Sequence, residues 1–502
     1  MTGRIAAAGA MRTSSLHLCA PVVEVDAAKS GLAGEAVTGL LRDAGFTTAA
    51  AGNGTRLDHG AFCAIQLGNA ALGASGSCRG LRRSVVAEAA SRMAKRGGGR
   101  IVLVTDANPW PAAGANVDQS ARQIADLHWW QQLAARVARY GVRMNTVRIG
   151  YSPFLGHALS QPSEADLFAH QVIRRPVTET DLACALTLLF SKGMNGMVGE
   201  VLPLDGGVDS VLVPVSAPGT VRADFSTVPP ANPWPLTGRT IMITGASSGI
   251  GAETAIELAR RGADLVLTAR RQRELDQIAG AVREHLGTRV WTLSADLADR
   301  ETPALLAKQA FDEAGMVHDL VYAAGILTRD EPGADSRPHR ERSFRVNTLS
   351  YADLAEEFAA RWVERKHRGS IVGVSSVSAQ SAPVPQVYSY GSSKAAMAQL
   401  GSHLAVTLAR YRIRVNSVLP GIVRTPMTDA QDPAFVSASL RRIPALRLCE
   451  PEDIAAAIGY LVSPAASYLT GAQLRVCGGS ATLRTLPALG KRKSPEGVEL
   501  TA

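Results

Sequence analysis

Tyr390 and Lys394 stand four residues apart in QVYSYGSSKAAMAQL, residues 386 to 400. On a helix that spacing puts both side chains on one face, so their tips can converge on one ligand. A free phenol titrates near pH 10, too high to exchange protons readily at neutrality, and an adjacent ammonium lowers that value by favouring the phenolate. The pair reads as an acid/base in which Lys394 brings Tyr390 into range. Tyr388 is set aside as the acid because its partner at the same spacing is Ser392.

Two further stretches carry chemistry. In TGASSGIG, Gly245, Gly249 and Gly251 let the backbone approach a pyrophosphate at the positive end of a following helix. Alone, such a turn is weak. In LTARRQRE, Arg270 and Arg271 occupy the place where an acidic residue would bind the ribose hydroxyls of NAD. Arginines there favour the 2′-phosphate of NADPH over NADH, with exposed loop charges as the other reading.

These residues need elements to hold them. TIMITG (240–245), DLVLTA (264–269), DLVYAAG (319–325), GSIVGVSS (369–376) and RIRVNSVLPG (412–421) read as buried parallel strands, with helical stretches such as AETAIELARRG (252–262) between them. This is the alternation of an α/β doubly wound parallel sheet, in which ligands bind beyond the carboxyl ends of the strands. The motifs fall at those ends.

The glycine turn, Asp296 in SADLAD, Asn347 in RVNTLS, Ser376, Tyr390-x-x-x-Lys394, and Pro420-Gly421 with Thr425 occur in order over residues 237–482. In these motifs the half-chain resembles the short-chain dehydrogenase/reductase family. The resemblance implies that Tyr390 protonates a substrate carbonyl, Ser376 hydrogen-bonds its oxygen, Lys394 also holds the nicotinamide ribose, and Asn347 holds a water in a relay behind Lys394. It further implies a dinucleotide site made of Gly245, Ser247, Ser248, Gly249, Ile250, Gly251, Arg270, Arg271, Asp296, Leu297, Ala324, Gly325, Pro420, Gly421, Ile422 and Thr425, together with Tyr390 and Lys394. Asp296 would meet the adenine, and Ile422 and Thr425 the carboxamide. Three departures stand out: Tyr322-Ala323-Ala324-Gly325 replaces Asn-Asn-Ala-Gly, Cys477 replaces an acidic residue, and Ser376 lies one position further than usual from Tyr390, so Ser375 or Ser378 could serve in its place.

The first half repeats the second without the chemistry. GRIVLVTD (99–106) matches GSIVGVSS, ETDLACALTLLFS (179–191) matches PEDIAAAIGYLVS (451–463), and GEVLPLDGG (199–207) matches GAQLRVCGG (471–479). The same alignment sets Asp106 against Ser376, Gln119 against Tyr390 and Gln123 against Lys394. An amide has no accessible pKa and cannot relay protons. The expected organisation is two Rossmann-like domains in tandem, the first (1–213) degenerate and non-catalytic, a proline-rich linker (214–236), the catalytic unit (237–482), and a basic tail (483–502) holding Lys491, Arg492 and Lys493. Such a layout resembles the high-molecular-weight 3-oxoacyl-thioester reductases of the family and implies an intramolecular pseudo-dimer, with a homodimer of chains above it. Trp129 and Trp130 are read as its packing aromatics.

The chain of 502 residues has 46% hydrophobic and 19% charged residues, without an apolar run long enough to span a bilayer or a signal-peptide layout, which reads as a cytoplasmic protein. Its net charge of +9 is dispersed and only 5% of residues are aromatic, which argues against nucleic acid and membrane partners. The six cysteines form no zinc pattern and no disulfide framework, so no metal is expected. The function expected is NADPH-dependent reduction of a ketone, with a 3-oxoacyl thioester of CoA or acyl carrier protein as substrate. Arg441, Arg442 and Arg447 lie in the segment that would lid such an anionic carrier, or form a solvated helix face. A secondary-metabolite ketone, polyol or steroid is the alternative substrate, and a cofactor-binding scaffold or redox sensor the alternative class.

Overall fold

The computed structural model describes residues 22–26, 32–43, 47–50, 61–66, 83–106, 117–155, 168, 171–207, 234–330, 335–381, 386–429 and 433–481. Two parallel sheets stand in tandem. The first holds β1 (Val22–Asp26), β2 (Thr47–Ala50), β3 (Ala61–Gln66), β4 (Gly99–Asp106), β5 (Val142–Ile149) and β6 (Val201–Leu204), with helices α1 (Leu32–Asp43), α2 (Arg83–Lys95), α3 (Val117–Ala138) and α4 (Glu179–Phe190). Its strand order is β2-β1-β3-β4-β5-β6.

The second sheet holds β7 (Thr240–Thr244), β8 (Asp264–Ala269), β9 (Val290–Ser294), β10 (Asp319–Tyr322), β11 (Ser370–Val374), β12 (Arg414–Pro420) and β13 (Gln473–Val476). Between and after them run α5 (Gly249–Arg260), α6 (Gln272–Leu286), α7 (Thr302–Ala314), α8 (Arg337–Phe344), α9 (Ser350–Glu364), α10 (Tyr388–Leu408), α11 (Pro426–Asp429), α12 (Pro433–Leu440) and α13 (Pro451–Val462). The order is β13-β12-β11-β10-β7-β8-β9, so the direction of winding reverses between β7 and β10. A crevice opens there beyond the strand ends. Every residue of β7, β11 and β12 is buried, which is why these strands read as unbroken apolar runs and not as alternations. The first sheet is one strand shorter among the described residues, lacking a counterpart of β9.

The halves meet through equivalent elements. Helix α4 packs on the turn Pro464–Ala466, and α13 packs on the equivalent turn Lys192–Met194. Each helix starts with the same device: Arg175 forks onto Asp181 at 2.6 and 2.9 Å, and Arg447 onto Asp453 at 2.7 and 3.0 Å, both aspartates closing capping boxes. Apolar residues of both helices belong to one continuous core. Across the seam Arg475 pairs with the buried Glu200 at 2.7 Å, and the Gly478 amide donates to Gly196 O at 2.8 Å. The reciprocity is incomplete. Tyr468 lays its ring 4.3 Å from the Arg175 guanidinium and donates its hydroxyl to Arg175 O at 2.6 Å, while its counterpart, Gly196, has no side chain to cover Arg447.

Two expectations are corrected here. Trp130 is fully buried, but in the first half's own core with Met93, Ile101 and Met144, and Trp129 packs on that same cluster, so neither faces the second half. The end of the proline-rich stretch is packed: Trp234 and Leu236 are buried, and the Trp234 ring lies 5.1 Å from that of Tyr460 and beside Cys184 across the seam.

Candidate active site

The crevice begins where β7 and β10 run side by side, with Thr244 opposite Tyr322. The chain leaves β7 through Gly245 at φ 69°, where a Cβ would lie 2.8 Å from Ala324 Cα. A Cβ on Gly251 would lie 2.3 Å from Gly245 O. The glycines are thus required by the close approach of the turn to its own helix and to the β10 loop. Helix α5 begins behind them with Ser248 as N-cap, yet the Ser248 hydroxyl caps no amide. It accepts instead from Arg271 at 3.0 Å, as Ser247 Oγ does at 3.1 Å. First-turn amides left without a capping side chain are what an anion needs.

The crevice has a volume of about 270 Å³ and takes in Gly245, Ser247 to Gly251, Arg270, Arg271, Asp296, Leu297, Ala324, Gly325 and Thr425. These are the residues the motifs point to. Pro420, Gly421 and Ile422 are outside that wall, at the end of β12, where a Cβ on Gly421 would lie 2.8 Å from Cys477 Cα. Val346, Ile326 and Met427 line the crevice and carry no motif of their own; Val346 and Ile326 could have been found only as neighbours of Asn347 and Gly325.

Beyond Gly325 lie the residues expected to handle the proton. A Cβ on Gly325 would meet both Lys394 Nζ at 3.1 Å and Asn347 Oδ1 at 3.3 Å, so the two polar groups face one point. Asn347 sits in a π-helical turn, Arg345–Leu349, between α8 and α9, a distortion common at functional sites. Its amide is fully engaged: Oδ1 accepts from Ile326 N at 2.9 Å, and Nδ2 donates to Ile326 O and Ser393 Oγ, each at 3.0 Å. Tyr390, half-buried, has its phenol beside Ser376, whose hydroxyl favours the phenolate. Ser375 spends its hydroxyl on Lys394 O at 2.8 Å, and Ser378 meets Ser376 through its backbone amide at 3.1 Å. Of the three serines, Ser376 is the one against the phenol.

The electrostatics differ from expectation. Burial raises the Tyr390 phenol above its ordinary value, partly countered by the Ser376 hydroxyl. Lys394 is itself buried, which lowers it to about 7, and its Nζ donates to Val374 O at 2.7 Å. A desolvated ammonium held by a backbone carbonyl, its pKa brought down to about 7, is a weak source of positive field. Arg447 is also removed from the lid, because its guanidinium is committed to Asp453. Cys477 is buried with a raised thiol pKa, a packed side chain and not a nucleophile. The side chains of Asp106, Gln119 and Gln123 lie outside the described residues, although β4 and α3 set their positions in the chain.

A family model described as enoyl-(acyl carrier protein) reductase, of the short-chain dehydrogenase/reductase type, matches residues 11–209 and again 245–481. The chain belongs to the short-chain dehydrogenase/reductase family. As a member it is an NAD(P)-dependent oxidoreductase acting on alcohol and ketone groups. It is 35% identical to an L-rhamnose 1-dehydrogenase (NAD(P)(+)) of Sphingomonas sp., over 96% of that protein and 49% of this chain. It is 38% identical to a cis-4-hydroxycyclohexanecarboxylate dehydrogenase of Sinomonas cyclohexanicum, over 96% and 48%. A 3-oxoacyl-[acyl-carrier-protein] reductase of Aggregatibacter actinomycetemcomitans is 35% identical over 98% of its length and 48% of this chain. Among solved structures, a gluconate 5-dehydrogenase from Burkholderia cenocepacia in complex with NADP and tartrate shares 28% identity over 97% of its chain and 50% of this one, with a TM-score of 0.47. The two matched stretches mark two copies of the family unit in this chain, whereas each of these relatives spans about half of it.

Proposed function

We propose that the protein reduces a ketone with NADPH, and that a 3-oxoacyl thioester is the first substrate class to test. The carrying observation is the Tyr390 phenol set beside Ser376, with Lys394 one turn behind, at the far end of a glycine-walled crevice. The crevice fits a dinucleotide: Gly245 and Gly251 leave no room for a Cβ, and the α5 amides carry no side-chain cap. Ser247 to Gly251 would hold the pyrophosphate, Asp296 and Leu297 the adenine, and Arg271 with Ser247 and Ser248 the 2′-phosphate.

The crevice would hold the nicotinamide, which would supply hydride chemistry at the carbonyl carbon. The chain's own residues handle the proton. Because burial raises the phenol, Tyr390 keeps its proton across the neutral range and acts as general acid toward the carbonyl oxygen. Ser376 orients that oxygen by a second hydrogen bond. Lys394, poised near 7, is able to return a proton to the tyrosine after each turnover.

The thioester substrate is supported by the matched family's description and by the acyl-carrier-protein reductase among the relatives. The catalytic unit is taken as residues 237–482 and the first 213 residues as a non-catalytic partner, since Gln119 and Gln123 replace the tyrosine and lysine. NADPH oxidation with acetoacetyl-CoA and a panel of unrelated ketones, with Tyr390→Phe alongside, tests the proposal. Turnover lost in the variant supports it; turnover retained in the variant, or found only with NADH, removes its mechanism or its cofactor.

A further inference from the structure

The loop after β10 and the helix that carries Tyr390 are joined by a buried pair the mechanism above does not use. Asp330 is 1% exposed, and both its oxygens face Ser389: Oδ2 accepts from the backbone N–H at 2.9 Å and Oδ1 from the hydroxyl at 2.6 Å. Its own amide donates to Gln386 O at 2.7 Å, and Gln386 is held at φ 63°, in the left-handed region. Ser389 lies in the first turn of α10, directly before Tyr390. A carboxylate there satisfies an amide that a helix leaves without an internal partner, and offsets the positive end of the helix.

One turn later a second fastening appears. Ser393 Oγ donates to Tyr390 O at 2.7 Å and accepts from Asn347 Nδ2, while Asn347 exchanges two hydrogen bonds with the backbone of Ile326. Ser389 and Ser393 are both fully buried. Tyr390 is therefore bracketed along its helix by two serines, and both lead back to the same short loop, one to Ile326 and the other to Asp330.

We propose that Asp330 is a positioning residue for the reaction: it pins the first turn of α10 and so sets where the Tyr390 hydroxyl stands relative to Ser376. The inference rests on the reading of Tyr390 as the general acid. Ser389 offers two donors, its amide and its hydroxyl, and the carboxylate gives each an oxygen of its own. An apolar replacement leaves a buried amide and hydroxyl unpaired, which frays the turn. Misplacing a reacting group by about 1 Å can lower a rate on the order of 100-fold.

The test compares the full-length parent with Asp330→Ala and Asp330→Asn. It measures kcat, KM, NADPH affinity, the isotope effect with NADPH deuterated at the transferred position, and backbone hydrogen exchange over residues 386–396. Expected for Asp330→Ala is a kcat lowered roughly 10- to 100-fold per folded molecule, with NADPH affinity within about twofold. The isotope effect should rise as proton and hydride transfer become limiting, and exchange should quicken at the start of α10. Asp330→Asn keeps one acceptor and should recover most of the loss. Parent-like kcat, isotope effect and exchange in the alanine variant overturn the proposal. If that variant does not fold, the asparagine variant decides: a partial loss of kcat with a raised isotope effect supports the role, and parent values refute it. A parent that reduces no ketone sinks the reading of Tyr390 instead, and the exchange comparison alone then decides whether Asp330 holds α10.

Discussion

Lys394 Nζ donates to the carbonyl oxygen of Val374 at 2.7 Å, so the end of β11 holds the ammonium that spacing alone directs at Tyr390. Burial brings this lysine from 10.5 to about 7. Between those values the unfolded chain binds more protons than the folded one, so stability rises with pH across that window. Below about 7 the cost of the buried ammonium is paid in full. Thermal melts of the ligand-free protein and of Lys394→Met should therefore converge as the pH moves from about 6 to about 9, with the parent gaining on the variant. A gap that stays constant would contradict the depressed lysine.

Arg271 joins Ser247 and Ser248 at the mouth of the crevice, whereas Arg270 is exposed and its backbone carbonyl accepts from Ser294. Arg271→Ala should raise the KM for NADPH by about tenfold, the order expected when one charge-assisted contact to a phosphate is lost, and leave that for NADH within about twofold. Arg270→Ala should do the same more weakly. Steady-state kinetics with both nucleotides checks this, and equal effects on the two would assign the arginines to the surface alone.

Gln119 and Gln123 stand in α3 where Tyr390 and Lys394 stand in α10. Neither amide titrates, so replacing both by alanine should leave kcat/KM within about twofold of the parent. A collapse of turnover in a variant that still melts cooperatively would mean that the first half takes part in the reaction.

Trp234 is 4% exposed and fills the space between Tyr460, Arg261 and Cys184. Trp234→Ala should cost about 3–5 kcal/mol of stability through the cavity it opens, with kcat per folded molecule little changed. Denaturant unfolding measures the first and an activity titration the second. A loss below about 1 kcal/mol would show that the seam closes over the gap.

The strands and the glycine turn were legible because periodicity and spacing are local properties. The five strand segments read around residues 240 to 421 all form strands, and the glycine turn, Arg270, Arg271, Asp296, Gly325 and Thr425 meet in one crevice, with Pro420, Gly421 and Ile422 outside it. What failed was direction. Four-residue spacing puts Lys394 on the face of Tyr390, but it does not say that a carbonyl of the neighbouring strand will take the ammonium. Arg447 looked available for a carrier because its partner, Asp453, lies in a different element, and Trp130 looked like an interface residue because the helix on which it sits serves that purpose elsewhere in the family. Asp330 gave no signal at all, since Ser389 is 59 residues away and nothing in either local sequence points to the other.

The reciprocal docking of α4 and α13 on the turns of the opposite half has a consequence for dilution. Two separate chains meeting through such a surface would part as their concentration fell. Here the second half finds its partner at an effective concentration that a tether of this length sets on the order of millimolar, whatever the amount of protein in solution. The covering of α13 and β13 is then a fixed property of each molecule, and a foreign subunit gains access to that face only by outcompeting a neighbour that never leaves.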